Sequence, residues 1–357
     1  MNKHKVYFLC YDITLSGGTE RAIATSVNFL SEEDKLQPIV ISLSSTDSHI
    51  PYFDLKAEII HCSLPPFQKS IIGRIKWYIE ALMRLKEIIR NLRKTDIIFS
   101  YGHNISIILP FISTKARRYA CEHINFYSIP KVSRLCMQLC YHYLDGVIAL
   151  SKTAKEKLKK LNKAIHIIPN SIPFDVNDIS LEKEKTIIMV GRISPEKGYD
   201  RVVAIAKELR NRLPQWKIEI WGDGPDFYLI KELYKKEGID DFVTLKGSTK
   251  NIVSVYQKAS LLIMTSYTEA LPMVIIEANA YGIPVVAYEC EGTIELISEG
   301  VNGYVIEDNN YMQFTDKILQ VISDDNIYKS FFNSSCKTSK KFSNDEIRKK
   351  WVELISI

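Results

Sequence analysis

The chain has 357 residues, enough for two domains with substantial cores, and at 46% hydrophobic and 25% charged its composition is that of a soluble globular protein. Its net charge of +5 hides a basic first half and an acidic second half, so only one half is suited to face a polyanion. No apolar run reaches the roughly 18 residues of a membrane span, and seven cysteines, an odd number without a C-x2-C pair, argue against a disulfide framework and for reduced thiols in the cytoplasm.

VYFLCYDI is the first predicted strand, too short and too soon interrupted by Asp12 to read as a signal peptide. SGGTER follows and opens a helix through Leu30. Gly17 and Gly18 let the backbone approach a ligand closely, and Thr19 is placed to cap the helix. The pattern is not G-x-G-x-x-G, which speaks against a dinucleotide site. IVISL, AEIIHC, DIIFS, RRYACEH and GVIAL read as further strands, alternating with helical stretches. Such alternation implies a parallel sheet with right-handed crossovers.

Within this half, Lys69 to Thr95 predicts a long helix with 8 Lys+Arg against 2 Asp+Glu and apolar residues at helical spacing. It reads either as a domain helix with a solvated basic face or as a helix lying on an anionic membrane, with Trp77 as an interfacial anchor. Cys136 and Cys140 lie one helical turn apart and read as packing rather than metal binding. Two histidines follow strand ends: His103 in Tyr101-Gly102-His103-Asn104, and His123 after Glu122 at the end of RRYACEH.

PNSIP and the polar DVNDISLEKEK mark a domain boundary. IIMVG, WKIEIWG, FVTLKG, LLIMTS, PVVAY and GYVIE then repeat the strand pattern. VGRISPEKGY puts Arg192 and Lys197 on a strand-to-helix loop. The unit from Leu261 carries a loop, Ser266 to Leu271, then Pro272 at the first position of a helix that Gly282 and Pro284 stop near Tyr281. Glu269 sits in the loop and Glu277 on the helix, while the first N–H groups, on Met273 and Val274, favour an anion. Hydroxyls at both ends of a ligand with phosphates between would suit this set, which describes a nucleotide sugar. Two solvated glutamates on an ordinary βαβ unit are the other reading of this segment. After about Gln320 come helical segments that end in EIRKKWVELISI.

Arg-x4-Lys at Arg192 and Lys197, followed by Glu-x7-Glu at Glu269 and Glu277, resembles the family 4 retaining glycosyltransferases. SGGTER, WGDGP, the KGSTKN loop and Pro169-Asn170 extend the resemblance over essentially the whole chain. It implies the GT-B fold, an α/β architecture of two Rossmann-like doubly wound parallel-sheet domains facing across a cleft. The expected division is an acceptor-binding domain over 1–172, a nucleotide-sugar domain over 173–335, and a C-terminal helix, 336–357, that crosses back to the first domain, with Trp351 as its anchor.

The resemblance also assigns roles. His123, with Glu269, Arg192 and Lys197, forms the catalytic set, His123 facing the reacting sugar and ranking above His103. Gly17, Gly18, Gly247, Ser248, Leu271, Pro272, Met273 and Val274 join Arg192, Lys197, Glu269 and Glu277 around the donor. Glu269 is assigned to the donor sugar, Glu277 to the ribose hydroxyls, and Gly247 with Ser248 to the base. Thr19, Glu20, His103, Glu122 and Asn125 belong to the acceptor side. No Asp-x-Asp motif is present, so no metal or other cofactor is expected and the cations stabilise the leaving diphosphate. A front-face displacement is favoured over a covalent Glu269 intermediate.

The expected donor is a hexose or N-acetylhexosamine linked to UDP. The expected acceptor is a glycan or lipid-linked saccharide of a bacterial surface polysaccharide (lipopolysaccharide, capsule or exopolysaccharide). The protein would then be cytoplasmic, peripheral at the inner membrane face, without nucleic-acid partners. A GT-B-shaped sugar-nucleotide epimerase or hydrolase without a glycan acceptor is the alternative, and a non-catalytic sugar-binding module a more distant one.

Overall fold

The computed structural model describes residues 3–68 and 70–356. Runs such as Val6–Cys10 and Leu261–Met264 are apolar at every position, so a strand built from them must be covered on both faces. Two parallel sheets clothed by helices meet that demand, one in each of two compact units. Unit 1 takes the chain up to Pro173 together with the segment from Asn344, and unit 2 is Phe174–Ser343.

Unit 1 contains β1 (His4–Cys10), α1 (Gly18–Leu30), β2 (Leu36–Ser42), β3 (Glu58–His61), α2 (Ile71–Ile89), β4 (Ile97–Tyr101) and α3 (His103–Ser106). It continues with β5 (Arg117–Glu122), α4 (Lys131–Cys140), β6 (Gly146–Ala149), α5 (Lys152–Leu158) and β7 (Ile165–Ile167). The sheet order is β3-β2-β1-β4-β5-β6-β7, parallel throughout. Six of these strands follow the predicted alternation; β7 is additional, a three-residue edge strand too short to carry a pattern.

Unit 2 contains β8 (Thr186–Val190), α6 (Val202–Arg212), β9 (Lys217–Trp221), α7 (Phe227–Lys236), β10 (Val243–Gly247), α8 (Ile252–Lys258) and β11 (Leu261–Met264). It continues with α9 (Met273–Ala280), β12 (Val285–Tyr288), α10 (Glu291–Leu296), β13 (Gly303–Ile306), α11 (Tyr311–Ser323) and α12 (Asp325–Ser339). Its parallel order is β10-β9-β8-β11-β12-β13. In each sheet the strand order reverses once, between β1 and β4 and between β8 and β11. Open α/β sheets bind ligands beyond the carboxyl ends of the strands at that point.

The last helix, α13 (Asn344–Ser356), packs on unit 1. The Trp351 ring sits 4.7 Å edge-on from Phe99 and 6.0 Å from Phe8, and Arg117 Nη2 donates to the Ile355 carbonyl at 2.6 Å. The returning segment begins at Asn344, not at 336, because α12 continues to Ser339 and belongs to unit 2.

The basic helix is shorter than its sequence pattern. Ser70 Oγ accepts from the Gly73 N–H and caps α2, whose last residue is Ile89. Lys69 lies outside the described residues. Asp96, itself buried, accepts from the Arg93 N–H and pairs with the Arg93 guanidinium at 3.0 Å, which holds the turn after the helix. Trp77 is no interfacial anchor: it is 2% exposed, packs edge-on against Phe67, and donates from Nε1 to the Pro65 carbonyl at 2.9 Å.

Trp351→Ala should remove the aromatic hold of α13 on the sheet and cost about 3–5 kcal/mol. Hydrogen exchange at the β1 and β4 amides during urea unfolding would read this. Unchanged protection there would mean that α13 does not support the sheet.

Candidate active site

The switch point of unit 2 is built by joining the loop after β8 to the loop after β11. Gly198 adopts φ +63°, and a Cβ there would lie 2.2 Å from the Thr265 carbonyl oxygen. Only glycine satisfies both the left-handed backbone and the close approach. Thr265 Oγ1 lies 2.8 Å from the Gly198 carbonyl and donates to it, Arg201 Nη1 donates to the Thr265 carbonyl at 3.1 Å, and the Tyr267 N–H donates to the Glu196 carbonyl at 2.9 Å. Arg201 is buried, paired with Asp308 and stacked 3.8 Å from the Tyr267 ring centroid. The WGDGP stretch supports the first loop from below: a Cβ on Gly222 would fall 1.9 Å from the Gly191 carbonyl oxygen, and one on Gly224 would fall 2.2 Å from that of Ile193.

This joining fixes Lys197 against Glu269. Lys197 Nζ meets Glu269 Oε1 at 2.5 Å, and Ser266 Oγ donates to the same oxygen at 2.9 Å. Both side chains are largely shielded, which strengthens the pairing relative to a surface ion pair. Gly292 closes the far side of the loop: its N–H donates to the Glu269 carbonyl at 3.1 Å, and a Cβ there would meet Pro272 Cδ at 2.4 Å. Pro272 is the N-cap of α9 and provides no side-chain cap, so the first N–H groups of the helix, on Met273 and Val274, look outward from a part-exposed edge. Leu271 is buried. Arg192 is exposed, and its guanidinium makes no hydrogen bond or ion pair among the described residues. Gly247, at φ +75°, ends β10 in a register shift and accepts at its carbonyl from the Gly222 N–H at 2.9 Å, with Ser248 exposed beside it.

Glu277 is not a solvated glutamate. It is fully buried, and the Tyr256 hydroxyl donates to its Oε2 at 2.8 Å. The reason is its place inside α9, where Tyr256 and Tyr281 stack at 6.2 Å with ring planes 10° apart. Lys197, Glu269 and the start of α9 are therefore brought together, Arg192 lies on the same loop as Lys197, and Glu277 is buried within α9.

In unit 1 the Glu20 carboxylate folds back beside the Gly17–Gly18 loop at the start of α1, so that a Cβ on Gly17 would lie 2.3 Å from its Oε2. Burial raises its pKa. Thr19 is half-exposed on the same turn.

His123 follows β5, half-buried, its ring 5.1 Å from that of Tyr101. Burial pulls its pKa down to about 4, so it is neutral near pH 7. His103, by contrast, is 7% exposed and its Nδ1 has no partner among the described residues. Glu122 also turns inward rather than toward an acceptor. Its Oε1 accepts from the buried Tyr141 hydroxyl, its Oε2 has no partner among the described residues, and burial raises its pKa to about 7. Asn125 Oδ1 accepts from the Tyr127 N–H at 3.0 Å and starts the turn that follows. Tyr141, Tyr256, Thr265 and Gly292 escaped the sequence reading; the glycine after Lys197 was the visible signal for the loop contact.

The model of the family described as Glycosyl transferases group 1 matches residues 172–337, nearly all of unit 2. The chain is 26% identical over 370 residues to the amylovoran biosynthesis glycosyltransferase AmsD of Erwinia amylovora, covering 99% of this chain and all of that one. It is 27% identical over 355 residues, 96% of this chain and 95% of the relative, to a Campylobacter jejuni enzyme. That enzyme is named GalNAc-alpha-(1->4)-GalNAc-alpha-(1->3)-diNAcBac-PP-undecaprenol alpha-1,4-N-acetyl-D-galactosaminyltransferase. Among solved structures, S. aureus TarM in complex with fondaparinux, alpha-GlcNAc-glycerol and UDP superposes with a TM-score of 0.82 at 15% identity, covering 99% of this chain and all of TarM.

Glu122→Gln should change how stability depends on pH. The folded-state pKa of about 7 lies above the ordinary 4.5, so the folded protein binds more protons between those values and wild-type stability falls as pH rises through that window. The variant stays neutral and should escape a loss on the order of 2–3 kcal/mol, visible as a wild-type-minus-variant difference that grows from pH 5 to 7.5 in denaturant titrations. A constant difference would show that Glu122 is ionised throughout.

Proposed function

Since the chain carries a group 1 glycosyltransferase domain on a GT-B fold and is a glycosyltransferase, we propose that it transfers a hexose or N-acetylhexosamine, with retention, from a UDP-sugar to a lipid-linked glycan of a bacterial surface polysaccharide. The Lys197–Glu269 pair beside the uncapped start of α9 carries this reading. A diphosphate arriving at the α9 N–H groups offers Lys197 a stronger anion than Glu269. Lys197 then turns to the phosphate, Glu269 is released to the sugar hydroxyls, and exposed Arg192 adds a second cation. The bond from the sugar C1 to phosphate breaks as the acceptor oxygen bonds to C1 on the same face. The acceptor's proton leaves with the departing diphosphate.

UDP is supported by its presence in TarM, and an undecaprenol-linked acceptor by the name of the Campylobacter relative. Relatives named as transferases give an epimerase or hydrolase no support. Residues Gly247 and Ser248 serve the base, and His123 is the catalytic group of unit 1 that faces the reacting sugar. The ribose role of Glu277 requires the Tyr256 hydroxyl to give way. The protein works without a metal at the inner face of the cytoplasmic membrane; no helix among the described residues is long and apolar enough to cross one.

Full transfer in EDTA is expected, because the cations that meet the diphosphate are side chains; a strict need for magnesium or manganese would overturn that assignment. Lys197→Ala and Arg192→Ala should each lower kcat/KM by an amount equivalent to about 2–4 kcal/mol while the fold persists. Near-wild-type turnover in either variant would make that residue a structural cation. His123→Ala should abolish transfer and spare UDP binding, and the same change at buried His103 should be milder. Product analysis with a UDP-sugar and a lipid-linked disaccharide acceptor tests the reaction as a whole.

A further inference from the structure

Arg201 holds a place in unit 2 that stability alone does not explain. Its side chain is 5% exposed, while that of its counter-ion Asp308 is 57% exposed. Its Nε has no hydrogen-bond partner among the described residues. Desolvating a charge is costly, and a partner that stays largely in water offsets little of that penalty. An apolar side chain of similar length would fill the same volume without it. What an apolar side chain lacks is the planar fork of donors, which can bridge several groups at once.

The groups it bridges belong to four different strands. Arg201 ends the turn Tyr199–Arg201, between the loop after β8 and α6. Its Nη1 donates to the carbonyl of Thr265, which directly follows β11, at 3.1 Å. Two rings pack on the guanidinium, with Cζ 3.8 Å from the centroid of Tyr267 and 4.7 Å from that of Tyr288. Tyr288 is the last residue of β12, and Asp308, the partner of Nη2, lies just beyond the end of β13. In the sheet these strands are neighbours, in the order β8-β11-β12-β13. One side chain from the first loop therefore touches the carboxyl ends of the other three strands.

The turn that carries Arg201 is itself anchored. The Tyr234 hydroxyl of α7 donates to the Tyr199 carbonyl at 2.8 Å, and the Tyr267 hydroxyl donates to Asp200 at 3.1 Å. The loop after β11 is the one that bears Glu269, and Arg201 grips it at the Thr265 carbonyl and the Tyr267 ring. Past that grip, the Glu269 carbonyl accepts from the Gly292 N–H at 3.1 Å. Misplacing a reacting group by about 1 Å costs on the order of a hundredfold in rate. A clamp so close to Glu269 thus bears on turnover more than on folding.

We propose that Arg201 is a positioning residue for the donor reaction. It touches no substrate; it sets where the loop after β11 holds Glu269. This rests on the assignment of Glu269 to the donor sugar.

The test compares Arg201→Met, Arg201→Lys, Asp308→Asn and Glu269→Gln with wild type in the full chain. Turnover is measured with the UDP-sugar and lipid-linked acceptor that give product in wild type, and UDP binding by calorimetry. Arg201→Met should lower kcat at least about thirtyfold without weakening UDP binding, because Lys197 and the start of α9 remain. Its thermal midpoint should move by less than about 5 °C. Arg201→Lys keeps a charge for Asp308 but lacks the fork that also reaches Thr265, so its loss should be smaller. Amide exchange should quicken at Tyr267 and Gly292, whose N–H groups donate to the Glu196 and Glu269 carbonyls. The Leu262 amide, inside β11, should keep its protection. Asp308→Asn alters an exposed side chain, spares the fold, and should lower kcat at least about threefold with UDP binding intact. Wild-type kcat in both Arg201→Lys and Asp308→Asn would overturn the proposal. So would a loss of kcat matched by an equal loss of UDP affinity, since Arg201 would then be a cation of the core. A Glu269→Gln variant with wild-type kcat would instead overturn the assignment of Glu269, and the proposal with it.

Discussion

Unit 2 depends on a contact between backbones: Gly198, held at a left-handed φ, against the carbonyl of Thr265. Each loop leaves a different strand. Thr265 and Arg201 draw the two loops together at the point where the strand order reverses. Lys197 and Glu269 meet only because of that junction, 72 residues apart in the chain. A side chain on Gly198 would separate them before it altered any charge.

The two units apply one topology to different chemistry. In unit 2 the helix start at the switch point is left uncapped, with cations beside it and a carboxylate held in reserve. In unit 1 the helix start after β1 has the carboxylate of Glu20 folded beside it. At the end of β5 lie two groups whose charged forms burial disfavours, His123 with a lowered pKa and Glu122 with a raised one. A neutral imidazole suits hydrogen bonding to a sugar hydroxyl, and a carboxyl bonded to Tyr141 at the strand end suits holding β5 and the residue after it in place.

Much of this was legible in the chain because central parallel strands buried on both faces read as apolar runs, as in β1, β11 and β12, while an outer strand such as β9 shows itself by alternation. Strand β7, Ile165–Ile167, is too short to show any period. The members of the donor loops were legible from Arg192, Lys197, Glu269 and Pro272, since loops after strands announce themselves by polarity and turn residues. Side-chain direction was not. Trp77, Glu122 and Glu277 each have the residue type of a surface or site group, and each points inward because a partner distant in sequence accepts it: the Pro65 carbonyl, the Tyr141 hydroxyl and the Tyr256 hydroxyl. Which of the two faces of α2 the core would take was equally hidden, since both are apolar and only the packed sheet chooses between them.

The central claim is that Glu269 competes with the donor diphosphate for Lys197. Calorimetric titration of UDP into wild type, Glu269→Gln, Lys197→Met and the double variant measures that competition as a coupling between two residues. The account predicts that Glu269→Gln tightens UDP binding severalfold when Lys197 is present and has no effect when it is absent. UDP affinity that is unchanged or weakened by Glu269→Gln in the presence of Lys197 would contradict it.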